Sequence, residues 1–295
     1  MATPSKPYPS IPRAILLILT ALVLQFFLSF VGGFLLCRMG LEFQSWHLGL
    51  INCLALGLVY AWGCLESDES IGDLLPFQGV TVGGLIALSV TVIGINVLIC
   101  ELLNFLSWAL PLRGFWRDML EMPLGDEENI YGVLFFLVVV APITEEPLFR
   151  GLILNGFLNR FKVRWAIVAS SILFALMHLN PIQFPVALIL GMLFGWWRVH
   201  SRSLWPCLWG HALNNGLPTM LAMGGVEIAG YPPSGAGGPP RFQALWLDLS
   251  GAALVLLGLV WTAAIFRRQS APPIARAVTI PLRPPLGTTS EVTGQ

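Results

Sequence analysis

Eight uninterrupted apolar runs constrain this chain more than any other feature of its sequence. A transmembrane helix needs about 20 consecutive apolar residues, because helices satisfy their own backbone hydrogen bonds in a solvent that offers none. Most of the runs approach this length, and they lie at 14–37, 46–64, 80–100, 130–157, 165–179, 185–199, 204–221 and 245–266. The sequence therefore predicts an all-α, polytopic membrane protein with about eight transmembrane helices.

The charge content supports the same fold class. Charged residues make up 11% of the 295 positions and apolar residues 56%, whereas a soluble domain carries about 25% charged residues. A surface so poor in charge must face lipid. The formal net charge is zero and no basic block is present, so nucleic acid is not expected as a partner. The five cysteines lie in or at the ends of apolar runs without CxxC spacing, which favours packing over disulfide or metal chemistry.

The positive-inside rule orients the helices. With eight spans and a cytoplasmic N-terminus, the outside segments hold only Arg38, Arg113, Arg117 and Arg241, while the inside segments hold all other Lys and Arg residues except Arg150. We therefore predict a multi-pass integral membrane protein, in the cell membrane if the source is prokaryotic, with both termini cytoplasmic. The predicted division is a polar segment 1–13, three helices and a loop at 14–129, a four-helix core at 130–222, a Gly/Pro-rich loop at 223–244, the last helix at 245–266 and a disordered tail at 267–295.

Ionisable residues in the fourth run indicate a functional site. Glu145, Glu146 and Arg150 lie within it, and leaving all three unpaired would cost about 8–10 kcal/mol by adding insertion costs per residue. Glu146 and Arg150 are four residues apart and share a helix face, so they can form an ion pair. Glu145 points about 100° away and lacks that partner. The pattern predicts one structural glutamate and one that is free for chemistry.

Two further helices bring polar side chains to similar depths. At about 1.5 Å per residue, Glu145 and His178 lie roughly 20 Å from the cytoplasmic end of their helices, and His211 and Asn215 roughly 10–17 Å. His211 and Asn215 are four apart and project together. A shared, buried polar cavity is the arrangement that fits these depths.

The ordered motifs on these helices resemble those of the CPBP family of intramembrane proteases, which includes CAAX-processing proteases and bacteriocin-processing relatives. They read Glu145-Glu146 with Arg150, Phe174 with His178, and His211 with Asn215, and the resemblance covers roughly residues 130–222. Gly151, directly after the arginine, is also typical of the family. The resemblance implies a catalytic core at 130–222 that hydrolyses a peptide bond of a membrane-associated or CAAX-like substrate.

The resemblance also implies roles for the site residues. Glu145 and His178 would activate a water, His211 and Asn215 would donate hydrogen bonds to the oxyanion, and Glu146 with Arg150 would form a supporting ion pair. An apolar site makes a carboxylate a better base, which is consistent with this assignment. No cofactor is expected, and the implied partners are a peptide or protein substrate and the bilayer.

Three alternatives remain open from the residues. Glu145, His178 and His211 could instead bind a catalytic divalent metal such as zinc, although the His-Glu-x-x-His signature is absent. A transporter would also place carboxylates and histidines at mid-membrane, but it predicts an inverted repeat that the sequence does not show. A non-catalytic scaffold or immunity protein would be favoured by a degraded motif, and here every motif position is intact.

Overall fold

The computed structural model describes residues 7–110, 130–226, 228–231 and 241–270. These residues form helices and contain no strand, apart from one isolated bridge between Ile228 and Tyr231. The helices are α1 (Ile11–Arg38), α2 (Ser45–Glu66), the short α3 (Ile71–Leu74), α4 (Val82–Ala109), α5 (Ile130–Leu158), α6 (Val163–Met177), α7 (Gln183–Ser201), α8 (Trp205–Met223) and α9 (Leu245–Ser270). The prediction of an all-α polytopic membrane protein is confirmed.

Each of the eight predicted runs coincides with one helix, and the helices differ in length. In the described part of the chain, α1, α2, α4, α5 and α9 are long and apolar enough to cross a membrane, and α6 is an apolar helix of shorter length. The division of the chain into segments stays a prediction. Much of the predicted Gly/Pro-rich loop and of the predicted tail lies outside the described residues, at 232–240 and 271–295.

Helix α5 is continuous but changes its hydrogen-bonding pattern along its length. Two stretches, Phe136–Val140 and Pro147–Ile153, are π-helical, and they flank an α-helical turn at Ala141–Glu146. Pro147 has no N–H to donate to the carbonyl four residues earlier, so a regular α-helix cannot continue through it. The second π-helical segment begins at this proline, and π-helical segments are frequent at functional sites.

The middle of α5 forms the centre of the largest apolar cluster. Leu148, Phe149, Leu152 and Ile153 are fully buried, and they pack with residues of α1, α2, α6 and α7. Because the surrounding helices cover α5 on several sides, the carboxylates that it carries are held away from lipid.

Small residues allow the other helices to approach closely. On the seam between α4 and α9, a Cβ added to Gly94 would lie 2.6 Å from the carbonyl oxygen of Gly251. On the seam between α6 and α7, a Cβ added to Gly191 would lie 2.9 Å from the Cβ of Ser171. Such contacts between backbones are characteristic of helix pairs in membranes. The α4–α9 pair packs beside α8, which carries part of the candidate site.

Candidate active site

Glu146 is the buried anchor of the site. Its side chain is 0% exposed, and Oε1 accepts a hydrogen bond from Arg150 Nη1 at 3.2 Å. The two residues are one helical turn apart, so the ion pair expected from their spacing is present. Buried charges of this kind are tolerated because they are paired.

Helix α8 adds a histidine to this pair. His211 Nδ1 lies 2.7 Å from Glu146 Oε1, and its Nε2 lies 4.0 Å from Glu145 Oε2. A carboxylate only accepts hydrogen bonds, so Nδ1 must carry the proton in this contact. The imidazole is thereby oriented with its Nε2 towards the second glutamate.

Glu145 differs from its neighbour in having few partners. Its side chain is 12% exposed, and Oε2 is buried without a hydrogen-bond partner among the described residues. Oε2 of Glu146 also lacks a partner among the described residues, so the two carboxylates differ in the contacts of Arg150 and His211 to Glu146 Oε1. The division between a structural glutamate and one that is free for chemistry stays a prediction.

His178 terminates α6 at the C-cap position. Its Nδ1 lies 3.0 Å from the carbonyl oxygen of Phe174, so Nδ1–H donates and Nε2 is left for another contact. The next residue, Leu179, has a left-handed φ of 51°, which reverses the chain. Asn180 Oδ1 then accepts hydrogen bonds from the amides of Ile182 at 2.9 Å and Gln183 at 3.2 Å, which starts α7. His178 therefore sits at a fixed turn and not in mid-helix.

The ring of Phe174 contacts three charged or titratable side chains, those of Arg150, His178 and His211. The guanidinium carbon of Arg150 lies 4.3 Å from its centroid, and the rings of His178 and His211 lie 5.0 and 6.1 Å from it. A cation over an aromatic face is stabilised by the ring quadrupole. Phe174 thus separates the two histidines and covers the ion pair.

Asn215 faces the first π-helical segment of α5. Its Nδ2 donates to the carbonyl oxygen of Leu137 at 3.1 Å. Because a carbonyl only accepts, this contact fixes which end of the amide is the nitrogen.

The structure brings together some of the predicted site residues directly and others through intermediaries. Glu145, Glu146, Arg150 and His211 form one cluster. His178 reaches this cluster through the ring of Phe174, and Asn215 lies one turn beyond His211 on α8. The sequence did not reveal the hydrogen bond between Glu146 and His211, since it depends on how α5 and α8 are rotated.

Polar residues of the first helices were also missed. Asn52 Nδ2 donates to Thr144 Oγ1 at 3.0 Å, and Gln25 Nε2 donates to Asn52 Oδ1 at 2.6 Å. Asn52 is a buried amide inside an apolar run, and that was the available signal. Thr144 directly precedes Glu145, so α1 and α2 help hold the turn that carries the free carboxylate.

The donor set was also compared with that of a metal centre. Among the described residues, no group of three or more His, Cys, Asp or Glu side chains is placed to hold a metal ion. The alternative set of metal ligands, Glu145, His178 and His211, does not form such a group among the described residues.

Comparison with known proteins agrees with the geometry. Residues 127–217 match the family model described as type II CAAX prenyl endopeptidase Rce1-like. No curated protein and no solved structure matches the chain. The matched segment contains every motif of the site, so the resemblance to the CPBP and CAAX protease family is confirmed over residues 127–217, and it supports a CAAX-type protease in general.

Proposed function

We propose that this chain is an intramembrane endopeptidase that hydrolyses a peptide bond of a CAAX-like substrate with a water activated by Glu145 and His178. The family match supports the general activity, a protease of the CAAX type. The assignment of the reacting groups rests on the contacts within the cluster.

The contrast between the two adjacent glutamates carries the proposal. Glu146 Oε1 lies 3.2 Å from Arg150 Nη1 and 2.7 Å from His211 Nδ1, whereas Glu145 Oε2 lies 4.0 Å from His211 Nε2, beyond hydrogen-bond distance. Oε2 of both carboxylates is without a hydrogen-bond partner among the described residues. A carboxylate with a free oxygen beside an imidazole can take a proton from a water. A carboxylate that is held by an ion pair and a hydrogen bond, as Glu146 is through Oε1, is a poorer base, because these partners stabilise its charge.

The reaction that we propose proceeds in two steps. Glu145 removes a proton from the water while the water oxygen attacks the scissile carbonyl carbon. The lone pair on His178 Nε2 accepts a hydrogen bond from the second O–H of the water. The tetrahedral intermediate then collapses with cleavage of the C–N bond, and Glu145 returns its proton to the leaving nitrogen. General base catalysis of this kind contributes about 10²–10⁴-fold in rate.

The oxyanion would be held by His211 and Asn215. With Nδ1–H donating to Glu146, an Nε2–H is available only when the ring is an imidazolium. Such a charge balances the cluster, since two carboxylates then face one guanidinium and one imidazolium. Asn215 uses one N–H on Leu137 and keeps a second for substrate. Each such donor is worth about 10²–10³-fold in kcat.

The substrate class follows from the family description and the surroundings of the site. The matched family is named for prenyl-CAAX peptides, and we propose the same class here, a peptide with a lipid-modified cysteine near its C-terminus. The bilayer would hold the lipid, and the cavity would open to the cytoplasm, so that water reaches the site. No metal and no nucleic acid take part in this scheme. Because no step uses a metal, chelators should leave kcat of the purified enzyme unchanged.

The test compares a farnesylated CAAX peptide with the same peptide lacking the lipid, using purified protein in lipid nanodiscs and mass spectrometry of the products. Wild type should cut the farnesylated peptide after the modified cysteine, and His178→Ala should lower kcat by about 10²-fold or more. His200→Ala is the matched control, because His200 Nδ1 contacts the Trp196 carbonyl in the same way but lies at the exposed end of α7. Absence of any cleavage by wild type, or equal rates for both histidine variants, would contradict the proposal.

A further inference from the structure

We infer that Asn214 and Asn96 are positioning residues that fix the orientation of the Asn215 amide. The inference rests on the proposed function, in which Asn215 donates to the oxyanion. It assigns a role to two buried amides, one of them on α4, which lies outside the segment matched by the family model.

A buried chain of hydrogen bonds leads to Asn215. Tyr231 Oη donates to Asn96 Oδ1 at 2.5 Å. Asn96 Nδ2 donates to the backbone carbonyl of Asn214 at 3.0 Å and to its Oδ1 at 3.1 Å. Asn214 Nδ2 then donates to Asn215 Oδ1 at 3.3 Å, and Asn215 Nδ2 donates to the Leu137 carbonyl at 3.1 Å.

Backbone carbonyls at two points determine the direction of this chain. Since the carbonyl of Asn214 only accepts, the nitrogen of Asn96 must face it, and Asn96 Oδ1 is left for the Tyr231 hydroxyl. The side-chain oxygen of Asn214 then faces Asn96, so its nitrogen faces Asn215. The Leu137 carbonyl imposes the same orientation on Asn215 from the other end. Every amide in the chain is therefore consistent with one orientation.

This orientation leaves a defined donor. Asn215 Oδ1 and one hydrogen on Nδ2 are engaged, so the remaining Nδ2–H points in a direction set by the other two contacts. Without Asn214 the Leu137 contact alone would hold the amide, and rotation about its last torsion would move the free N–H. Displacement of a reacting group by about 1 Å can cost about 10²-fold in rate. Asn96 and Asn214 are 2% and 9% exposed, so water is a poor substitute for the lost contacts.

A purely structural role is the competing explanation, because the same bonds also join α4 to α8. The two roles differ in how they combine with loss of Asn215. If Asn214 acts through Asn215, its substitution should change kcat only while the Asn215 amide is present. If it only holds the helices together, the two effects should be independent.

The experiment is a double-mutant cycle on the full-length protein in nanodiscs with the farnesylated peptide. Asn214→Leu keeps the branched shape but removes the donor, and Asn96→Leu and Tyr231→Phe probe the chain further away. Asn214→Leu should lower kcat about tenfold or more with KM within about twofold, yet have no further effect in the Asn215→Ala background. Tyr231→Phe should show the same pattern with a smaller loss. Thr91→Val is the matched control, because Thr91 is a buried residue of α4 whose hydroxyl donates to the Ala87 carbonyl within the same helix.

The outcomes separate this inference from the proposed function. Wild type that cuts no peptide removes both, whereas Asn215→Ala with normal kcat removes the oxyanion role of Asn215 and this inference but leaves the peptidase activity standing. Active wild type, impaired Asn215→Ala and normal Asn214→Leu would overturn the positioning role alone. Independent losses in the double variant, or an equal loss of kcat in Thr91→Val, would show that the chain only supports the fold. Should Asn214→Leu fail to fold, Tyr231→Phe decides by the same cycle.

Discussion

Glu145 and Glu146 show how one residue step separates two environments. Both are carboxylates on the same turn of α5, and their environments differ because successive side chains of a helix point about 100° apart. Glu146 turns towards Arg150 and His211, and Glu145 turns towards the Nε2 side of His211. The spacing of Glu146 and Arg150 was readable from the sequence, since it depends only on local helix geometry. The contact with His211 was not, since it joins positions 65 residues apart.

Arg150→Ala should destabilise the protein by about 3–5 kcal/mol, because it breaks the buried ion pair with Glu146 and leaves the cluster with one uncompensated negative charge. Thermal unfolding of the purified protein in one detergent measures the effect. Arg164→Ala is the control, an exposed arginine at the start of α6 that should change the melting temperature little. Adding Glu146→Gln to Arg150→Ala should restore part of the loss, since it removes the stranded charge. Equal melting temperatures for the two arginine variants would contradict the buried pair.

At the scale of elements, apolar runs predicted where the helices lie but not their internal geometry. The run at 130–157 corresponds to α5, and it contains Pro142 and Pro147, which indicate a disturbance of the regular α-helix. That the disturbance takes the form of π-helical segments could not be read from the sequence, because neighbouring helices decide how the freed carbonyls are satisfied. Leu137, in the first such segment, offers its carbonyl to Asn215 on α8. The π-helical geometry of α5 and the position of the proposed oxyanion donor are thus linked.

The seam between α4 and α9 supports the site from behind, and it can be tested with glycine substitutions. A Cβ at Gly94 would lie 2.6 Å from the Gly251 carbonyl oxygen and 2.7 Å from the Val255 amide nitrogen, so the backbones would have to separate. Gly94→Ala should therefore destabilise the protein by about 1–3 kcal/mol, as overpacking does.

Gly57→Ala is the matched control for that substitution. It lies in α2 with nothing within 4 Å of an added Cβ, and alanine in a helix interior should raise stability by about 0.5–1 kcal/mol. Thermal unfolding of both variants in the same lipid nanodiscs measures the contrast. Similar shifts for Gly94→Ala and Gly57→Ala would show that α4 and α9 do not approach as closely as described.

For the whole molecule, residues outside the matched segment complete the site. Asn52 on α2 donates a hydrogen bond to Thr144, and Asn96 on α4 donates to Asn214. The carbonyl oxygen of Leu74 lies 2.6 Å from the position that a Cβ on Gly151 would take. The fold class could be predicted from hydropathy alone, since a bilayer permits few alternatives. The contribution of the first four helices could not, because single buried amides in apolar runs do not indicate their partners.

The orientation in the membrane gives a prediction for the whole molecule. We expect both termini and the turn between α5 and α6 to face the cytoplasm, which places the proposed cavity opening on that side. In a variant without the native cysteines, Lys162→Cys should react with a membrane-impermeant maleimide only in inside-out vesicles. Glu42→Cys, in the turn between α1 and α2, should react only in right-side-out vesicles. The reverse pattern would contradict the eight-span orientation and the cytoplasmic opening.

The most direct test of the central claim is the rate of peptide cleavage by Glu145→Gln compared with Glu66→Gln, an exposed glutamate at the end of α2. Both changes neutralise one carboxylate without altering its shape. We expect that Glu145→Gln loses about 10³-fold or more in kcat while its melting temperature stays within a few degrees of wild type, and that Glu66→Gln retains full activity. A Glu145→Gln enzyme with kcat within tenfold of wild type would contradict the assignment of Glu145 as the base.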